Sequence, residues 1–313
     1  MLKKILLAVC FLCSLHSHDQ ASMQAAFAGA MGKFIADRGF PGAVVCIYQN
    51  NQMILNEAYG KNVDVNEIYP LASISKYFTE KAIEKLIEEK LLSRSDKAWN
   101  YLHLTVSPQD PLVQEITIGQ LLDHRGGWDS EVSDDPLFDE TVTRTNPKDL
   151  IEKVMCSKML DYVPGVQNVY SNFGYLVLGL IIENITGMSY LEYVNQTFAK
   201  PLNLQLTQAE TPSTFARETP FATQYSLELS TPSFGLAARA QDIAQIISSR
   251  AKSRVENFWL SGSLPGTITS LVRRRVNHVT IVVFIPDRDD NCWKDDILDL
   301  RKEIDRAAGS LGL

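Results

Sequence analysis

Apolar and polar positions along the chain fall into three regimes. Between Leu71 and Leu92 (LASISKYFTEKAIEKLIEEKLL), Ile74, Tyr77, Phe78, Ala82, Ile83, Leu86, Ile87 and Leu91 recur at three- and four-residue steps. Glu80, Lys81, Glu84, Lys85, Glu88 and Glu89 take the opposite face, so the spacing predicts an amphipathic helix packed on a core. Before it, a helix is expected over Gln24–Asp37, stopping at Arg38-Gly39. Gly42–Gln49 and Gln52–Tyr59 are β-rich runs separated by Asn50-Asn51, the signature of a hairpin with a two-residue turn.

From Ser93 to about Leu206 the pattern turns helical, with segments at Ile116–His124, Pro147–Met155, Phe173–Gly187 and Tyr190–Lys200 divided by Gly, Pro, Asp and Asn clusters. Arg239–Ser249 predicts another helix. Strands return at Gly266–Arg274 and His278–Pro286 around a turn at Val276-Asn277, and Asp295–Ala308 closes the chain as an amphipathic helix. Strands at both ends with a helical middle imply an α/β (α+β) fold. An antiparallel sheet is built from the N- and C-terminal strands and flanked by helices, with an all-helical insertion. The expected boundaries are 23–95 and 220–313 for the mixed domain and 96–219 for the insertion. No repeat interrupts this layout.

Composition narrows the classes. A chain of 313 residues with 45% hydrophobic content can bury a large core, and a net charge of −7 argues against nucleic acid or an anionic membrane as partner. At the N-terminus, two lysines within Met1–Lys4 precede a nearly all-apolar Ile5–Leu15 and then small or polar residues. That is the layout of a secretory signal peptide ending at Ser17, or as late as Ser22, and predicts an exported, periplasmic or secreted protein without a membrane span after cleavage. Of the cysteines outside it, Cys46, Cys156 and Cys292 are odd in number and far apart, so at most one disulfide forms and a zinc site is not indicated.

Candidate chemistry begins at the Leu71–Leu92 helix. Ser73 is a good cap residue at its start, and Lys76 follows three positions later on the same face. A serine beside unpaired helix N–H groups, with a desolvated lysine to accept its proton, is a workable nucleophile-and-base unit. The spacing is cheap, since Ser249–Lys252 repeats it in a polar stretch. Tyr170-Ser171-Asn172 precedes a strongly apolar helix, after the turn at Pro164-Gly165. Its tyrosine hydroxyl beside a lysine could shuttle a proton, and its asparagine could hold a substrate amide. Tyr48-Gln49-Asn50 and Tyr193-Val194-Asn195 match the same pattern, but only Tyr170 sits in a loop at the lip of a buried helix. Trp259–Thr267 (WLSGSLPGT) reads either as a glycine-rich turn or as a backbone able to pair an N–H with that of Ser73 around an oxyanion.

Together these segments, PGAVVCIYQNNQMILNEAYG, LASISKYFTEKAIEKLIEEKLL, ITIGQLLDHRGGW, PGVQNVYSNFGYLVLGLIIENITG and LSGSLPGT, resemble the serine β-lactamase/penicillin-binding-protein family in its class C-type "β-lactamase-related" serine hydrolase branch, from about Pro41 to Pro286. The resemblance implies a β-lactamase/transpeptidase-like fold, no cofactor or metal, and a small-molecule or peptidoglycan-peptide substrate. The oligomeric state stays open. It makes Ser73 the acylated nucleophile, Lys76 its partner base, Tyr170 the proton shuttle and Asn172 the contact to a substrate amide. The family's third motif falls on Leu260-Ser261-Gly262, so Ser261, Gly262 and Ser263 become substrate-binding residues, with the N–H groups of Ser73 and Ser263 facing the oxyanion.

Leu260 stands where the family usually carries lysine or histidine. That removes a cation for a substrate carboxylate and favours ester or D-amino-acid peptide hydrolysis over β-lactamase action. One of Arg273, Arg274 and Arg275 could substitute, although a solvated basic run is the commoner meaning. The alternative reading is a protein that binds peptidoglycan-like or β-lactam ligands with little or no turnover. His124, in the loop Leu122–Trp128, is expected to be structural and bonded to its own loop, while Trp128 lines the cleft or is buried. The acidic group Asp129, Glu131, Asp134 and Asp135 lacks metal-ligand spacing and reads as a solvated loop. Asn184 and Asn195 begin glycosylation-type triplets inside predicted helices.

Overall fold

The computed structural model describes residues 2–131, 135–138, 146–209, 229–250, 257–264, 267–274 and 278–313, without the side chains of 2–19 and 269–274. Helix α1 (Leu2–Arg38) leads into the hairpin β1 (Gly42–Gln49)–β2 (Gln52–Gly60). Strand β3 (Tyr69–Pro70) precedes α2 (Ser75–Glu88). Helices α3 (Trp99–Leu102), α4 (Ile118–Leu122), α5 (Pro147–Ser157), α6 (Asn172–Thr186) and α7 (Tyr190–Val194) follow. After β4 (Thr207–Gln208) and β5 (Leu236–Ala238) come α8 (Ala240–Ser249), β6 (Phe258–Leu264), β7 (Thr267–Arg274), β8 (Val279–Ile285) and α9 (Trp293–Ser310).

Two compact units result, Met1–Ile68 with Arg239–Leu313 and Tyr69–Ala238. The strand and helix pattern put the expected boundaries at 95/96 and 219/220, whereas the compact units divide at 68/69 and 238/239, and the small sheet β3-β5-β4 supplies the reason. Tyr69 and Pro70 pair with Ala238 and Ala237, and Leu71 N–H donates to Leu236 O at 2.8 Å, so the start of the Ser73 segment is tied to the helical middle.

In the first unit the sheet runs β2-β1-β8-β7-β6, with every neighbouring pair antiparallel. Asn50 and Asn51 both take positive φ (50° and 65°), the conformation a two-residue hairpin turn demands and asparagine tolerates. Strand β8 is buried at every position, as a central strand covered on both faces must be. Alternate residues Ala43, Val45, Ile47, Ile281, Val283 and Ile285 join Phe27, Met31 and Phe34 of α1 and Leu300 and Ile304 of α9 in one core. Helix α8 packs against β1 and β8. Arg38 pairs with Asp296 of α9, whose carboxyl is held above its ordinary range first by burial. The Val276-Asn277 turn lies outside the described residues. Trp259–Leu264 is strand rather than glycine-rich turn, because Leu260, Ser261, Gly262 and Ser263 pair in register with Leu271, Ser270, Thr269 and Ile268.

The second unit is organised by α6, buried from Asn172 to Ile182 and stopped at Gly187, whose positive φ ends the helix. Helix α2 ends earlier than its periodicity suggests, where Lys90 turns to φ 61° and Leu91 N–H bonds back to Leu86 O. Cys46, Cys156 and Cys292 are all free thiols. Asn184 and Asn195 spend their side-chain amides on Tyr101 O, Leu102 O, Leu191 O and Leu206 O. Among the described residues no single helix is long and apolar enough to cross a membrane.

Candidate active site

Ser73 does not cap a helix. It lies inside a 3-10 turn, Ala72–Ile74, that runs directly into α2, and no side-chain cap bond forms at either start. Ala72 holds φ 48°, a conformation disfavoured for any residue with a Cβ, while its methyl is fully buried. The backbone of Leu236 grips this turn on both sides, its O accepting from Leu71 N and its N–H donating to Ser75 Oγ at 3.1 Å. The Ser73 hydroxyl, freed from capping, stands 2.7 Å from Tyr170 Oη. Tyr170, rather than Lys76, is therefore the group in direct contact with the serine.

Lys76 lies one turn below in the wall of the site. Its Nζ donates to Asn172 Oδ1 at 2.7 Å and to Ser233 O at 2.8 Å, and stands 4.6 Å from the centre of the Tyr170 ring. The rings of Tyr175 and Phe234 enclose it at 5.6 and 5.9 Å, so an ammonium here is desolvated on its aromatic side and compensated by carbonyl dipoles. Four predicted residues, Ser73, Lys76, Tyr170 and Asn172, thus form one contiguous cluster. Ser261, Gly262 and Ser263 belong to β6 of the first unit, where Ser263 Oγ donates to Thr267 O and accepts from Arg288 at 3.4 Å. The side chains of Arg273 and Arg274, and all of Arg275, lie outside the described residues.

Other loops fix the Tyr170–Asn172 segment. Ser171 caps α6 through Gly174 N–H at 3.0 Å. Ser130 N–H donates to Tyr170 O, and Ser130 Oγ accepts from Asn172 N–H, both at 2.9 Å. The His124 N–H stays local, donating to Leu121 O at 3.2 Å, but its ring and carbonyl bond to this segment: Nδ1 accepts from Ser171 N–H at 3.2 Å and the carbonyl from Val169 N–H at 2.8 Å. The ring lies 4.8 Å from that of Tyr170 and 4.9 Å from that of Tyr175. Burial, with the Lys76 charge as a second cause, pulls the imidazole down to about 4, so it is neutral at ordinary pH. Trp128 is buried, its ring edge-to-face with Phe173.

Two members of the acidic loop depart from the expectation of a solvated surface, while Glu131 is exposed as expected. Asp129 and Asp135 are both buried, and Asp135 Oδ2 accepts from Asn172 Nδ2 at 2.8 Å. Asp134 lies outside the described residues. Ser230–Gly235 escaped the sequence reading altogether. It supplies the carbonyl to Lys76, and Ser233 Oγ donates to Asn172 O at 2.7 Å. The segment is braced by Thr79 Oγ1 on Pro232 O at 2.6 Å and by Phe234 stacked on Phe138 at 5.2 Å. Gly179 of α6 makes room for it, since a Cβ there would meet Pro232 Cγ at 2.3 Å. The only sequence signal was Pro232 and Gly235 interrupting a polar stretch, which marks a turn and not a lysine clamp.

Comparison with known proteins decides the family. The Beta-lactamase family profile matches residues 24–284. This chain belongs to the Beta-lactamase family. Protein flp of Staphylococcus aureus (strain COL) is 31% identical over 199 residues, covering 61% of this chain but only 39% of flp, so the match spans well under half of that longer relative. Among solved structures, a D-stereospecific amidohydrolase from Streptomyces sp. superposes with a TM-score of 0.68 at 19% identity, covering 90% of this chain and 97% of that one. A Beta-lactamase/D-alanine carboxypeptidase from Yersinia pestis superposes with a TM-score of 0.73 at 14% identity, covering 91% and 98%. The α/β fold with its antiparallel sheet, read from the sequence, is the fold of this family. Among the described residues no cluster of three His, Cys, Asp or Glu side chains is arranged to hold a metal ion.

Proposed function

We propose that this family member is a serine hydrolase that passes through an acyl-enzyme on Ser73. The observation that carries the reading is the 2.7 Å contact between Ser73 Oγ and Tyr170 Oη, with the Lys76 ammonium 4.6 Å from the same ring. In the reactive form the Tyr170–Lys76 pair holds one proton fewer than its full complement, so Tyr170 Oη accepts the serine proton as Oγ bonds to the substrate carbonyl carbon. The Lys76 charge offsets the negative charge on that shuttle. Backbone N–H groups of Ser73 and, by the family resemblance, Ser263 hold the oxyanion, and Tyr170 returns the proton to the leaving alcohol or amine. Water then repeats the cycle on the ester, releasing the acid and restoring Ser73.

Leu260, in place of a cation, supports neutral esters and D-amino-acid amides or peptides as substrates over β-lactams. The name of one superposed structure, a D-stereospecific amidohydrolase, points the same way, while that of the other joins Beta-lactamase with D-alanine carboxypeptidase and favours neither class. The layout of Met1–Ser22 supports export, which N-terminal sequencing of the secreted or periplasmic protein tests. For the activity, p-nitrophenyl butyrate, D- and L-phenylalanine amide and nitrocefin are compared side by side. Turnover of the ester and the D-amide, with slow or no turnover of nitrocefin, is expected. A stable adduct without product release would overturn hydrolysis in favour of ligand binding.

A further inference from the structure

Asn172 stands between two buried, oppositely charged groups. Its Oδ1 accepts from Lys76 Nζ at 2.7 Å, and its Nδ2 donates to Asp135 Oδ2 at 2.8 Å. An ammonium only donates and a carboxylate only accepts, so the amide has one permitted orientation and each end enforces it. Lys76 is 6% exposed, Asp135 8%, and among the described residues Lys76 makes no ion pair of its own. Asp135 divides its oxygens between two tasks. Oδ1 accepts from Leu137 N–H at 3.0 Å and caps the turn Pro136–Phe138, while Oδ2 is spent on Asn172 alone. Capping the turn requires only the first oxygen.

We propose that Asp135 is a positioning residue for the acylation machinery: through the Asn172 amide it locks Oδ1 onto Lys76 and sets the pH at which the Lys76–Tyr170 pair gives up its proton. The proposal rests on the reading of Ser73, Lys76 and Tyr170 as an acylating site. The other titratable groups around the relay are His124, Tyr170 and Tyr175 against Lys76, Glu80 one turn along α2, and Asp129 and Lys158, which line the cavity beside Asp135. Asp135 is the carboxylate that the amide connects to Lys76. A negative charge there favours the protonated lysine, and its removal favours the neutral amine.

The test compares the wild-type full chain with Asp135→Asn and the double variant Asp135→Asn/Asn172→Asp, following the rate of Ser73 labelling by a fluorophosphonate against pH. Asp135→Asn keeps the oxygen that caps the turn but sets one amide NH₂ against another. It should lower the neutral-pH rate about tenfold and move the acidic limb of the profile down by about one pH unit. The double variant restores the donor–acceptor order with the carboxylate directly on Lys76, and should move that limb above the wild-type position. Asp135→Asn within about twofold of wild type at every pH, with an unmoved limb, overturns the proposal. If Asp135→Asn does not fold, Asp135→Glu is read instead: a slower rate with the limb held supports the charge role, and a limb that falls as well overturns it. If wild type itself takes no label, the acylation reading fails separately. The relay is then judged by the ¹³Cε titration of Lys76, assigned with Lys76→Arg: a midpoint lowered by Asp135→Asn upholds it and an unchanged one overturns it.

Discussion

The two units bury different things. The Met1–Ile68/Arg239–Leu313 unit centres on aliphatic and aromatic side chains, alternating along β1 and β8 and meeting α1 and α9, and pairs its buried Asp242 and Asp296 with Arg239 and Arg38 outside that core. The Tyr69–Ala238 unit also has an apolar centre on α6, but at one end of that helix it buries Lys76, Asp135, Asn172 and Ser233, joined by hydrogen bonds of 2.7 to 2.8 Å. An apolar core tolerates exchange among residues of similar volume, because its attraction is non-directional. A buried polar network does not, since each lost partner strands a group that water cannot reach. Lys76 and Asn172 of the proposed site belong to the second kind of interior, and substitutions should separate the two kinds cleanly.

The largest effect is expected at Lys76. Lys76→Met fills the same space without the charge and should cut the acylation rate about 10³-fold or more, while unfolding shifts by only about 1–3 kcal/mol for the stranded Asn172 and Ser233 oxygens. Single-turnover labelling and denaturant titration read the two numbers. Ile281→Ala should do the reverse. Removing a fully buried side chain from the central strand is expected to cost about 2–5 kcal/mol in stability. Activity per folded molecule should stay near wild type, measured below the transition temperature.

Gly179→Ala sharpens the comparison, because helix propensity and packing pull in opposite directions. Alanine within α6 would gain about 1 kcal/mol by propensity, but its methyl would push Pro232 and with it the Ser233 carbonyl that holds Lys76. A net loss of about 1–3 kcal/mol with a severalfold slower acylation is expected, and a stabilised variant of unchanged rate would show that the segment can yield.

The effect confined to acid pH, and absent at neutral pH, concerns His124. Its folded value of about 4 lies below the usual 6.5, so the unfolded chain takes up the proton first. Stability from this group is complete above pH 6.5 and falls as pH drops towards 4, at up to about 1.4 kcal/mol per pH unit. His124→Asn, whose side-chain oxygen can replace Nδ1 as acceptor for Ser171 N–H, should flatten that slope in pH-dependent denaturation.

The same contrast explains what the sequence made legible. The hairpin at Asn50-Asn51 and the helices α2, α5, α6, α8 and α9 follow from period, caps and turn chemistry, which are local properties. Ser73, Lys76, Tyr170 and Asn172 were legible as an ordered set of motifs. Their supports were not. Asp135 is separated from Asn172 by 37 positions and Ser233 from Lys76 by 157, and no periodicity reports such contacts. A buried carboxylate in a run of acidic residues looks like solvated surface until the fold aims it at an amide. The role of Ser73 as a helix cap was the natural reading of its position, and Tyr170 takes that hydroxyl instead.

The most direct test of the account is the intact mass of the purified protein after exposure to a fluorophosphonate and, separately, to a penicillin, with Ser73→Ala alongside. A mass gain with the fluorophosphonate that is absent from Ser73→Ala, and a weaker or slower gain with the penicillin, is the predicted result. No gain with either reagent, or an equal gain in Ser73→Ala, would contradict the claim that Tyr170 and Lys76 make Ser73 a nucleophile.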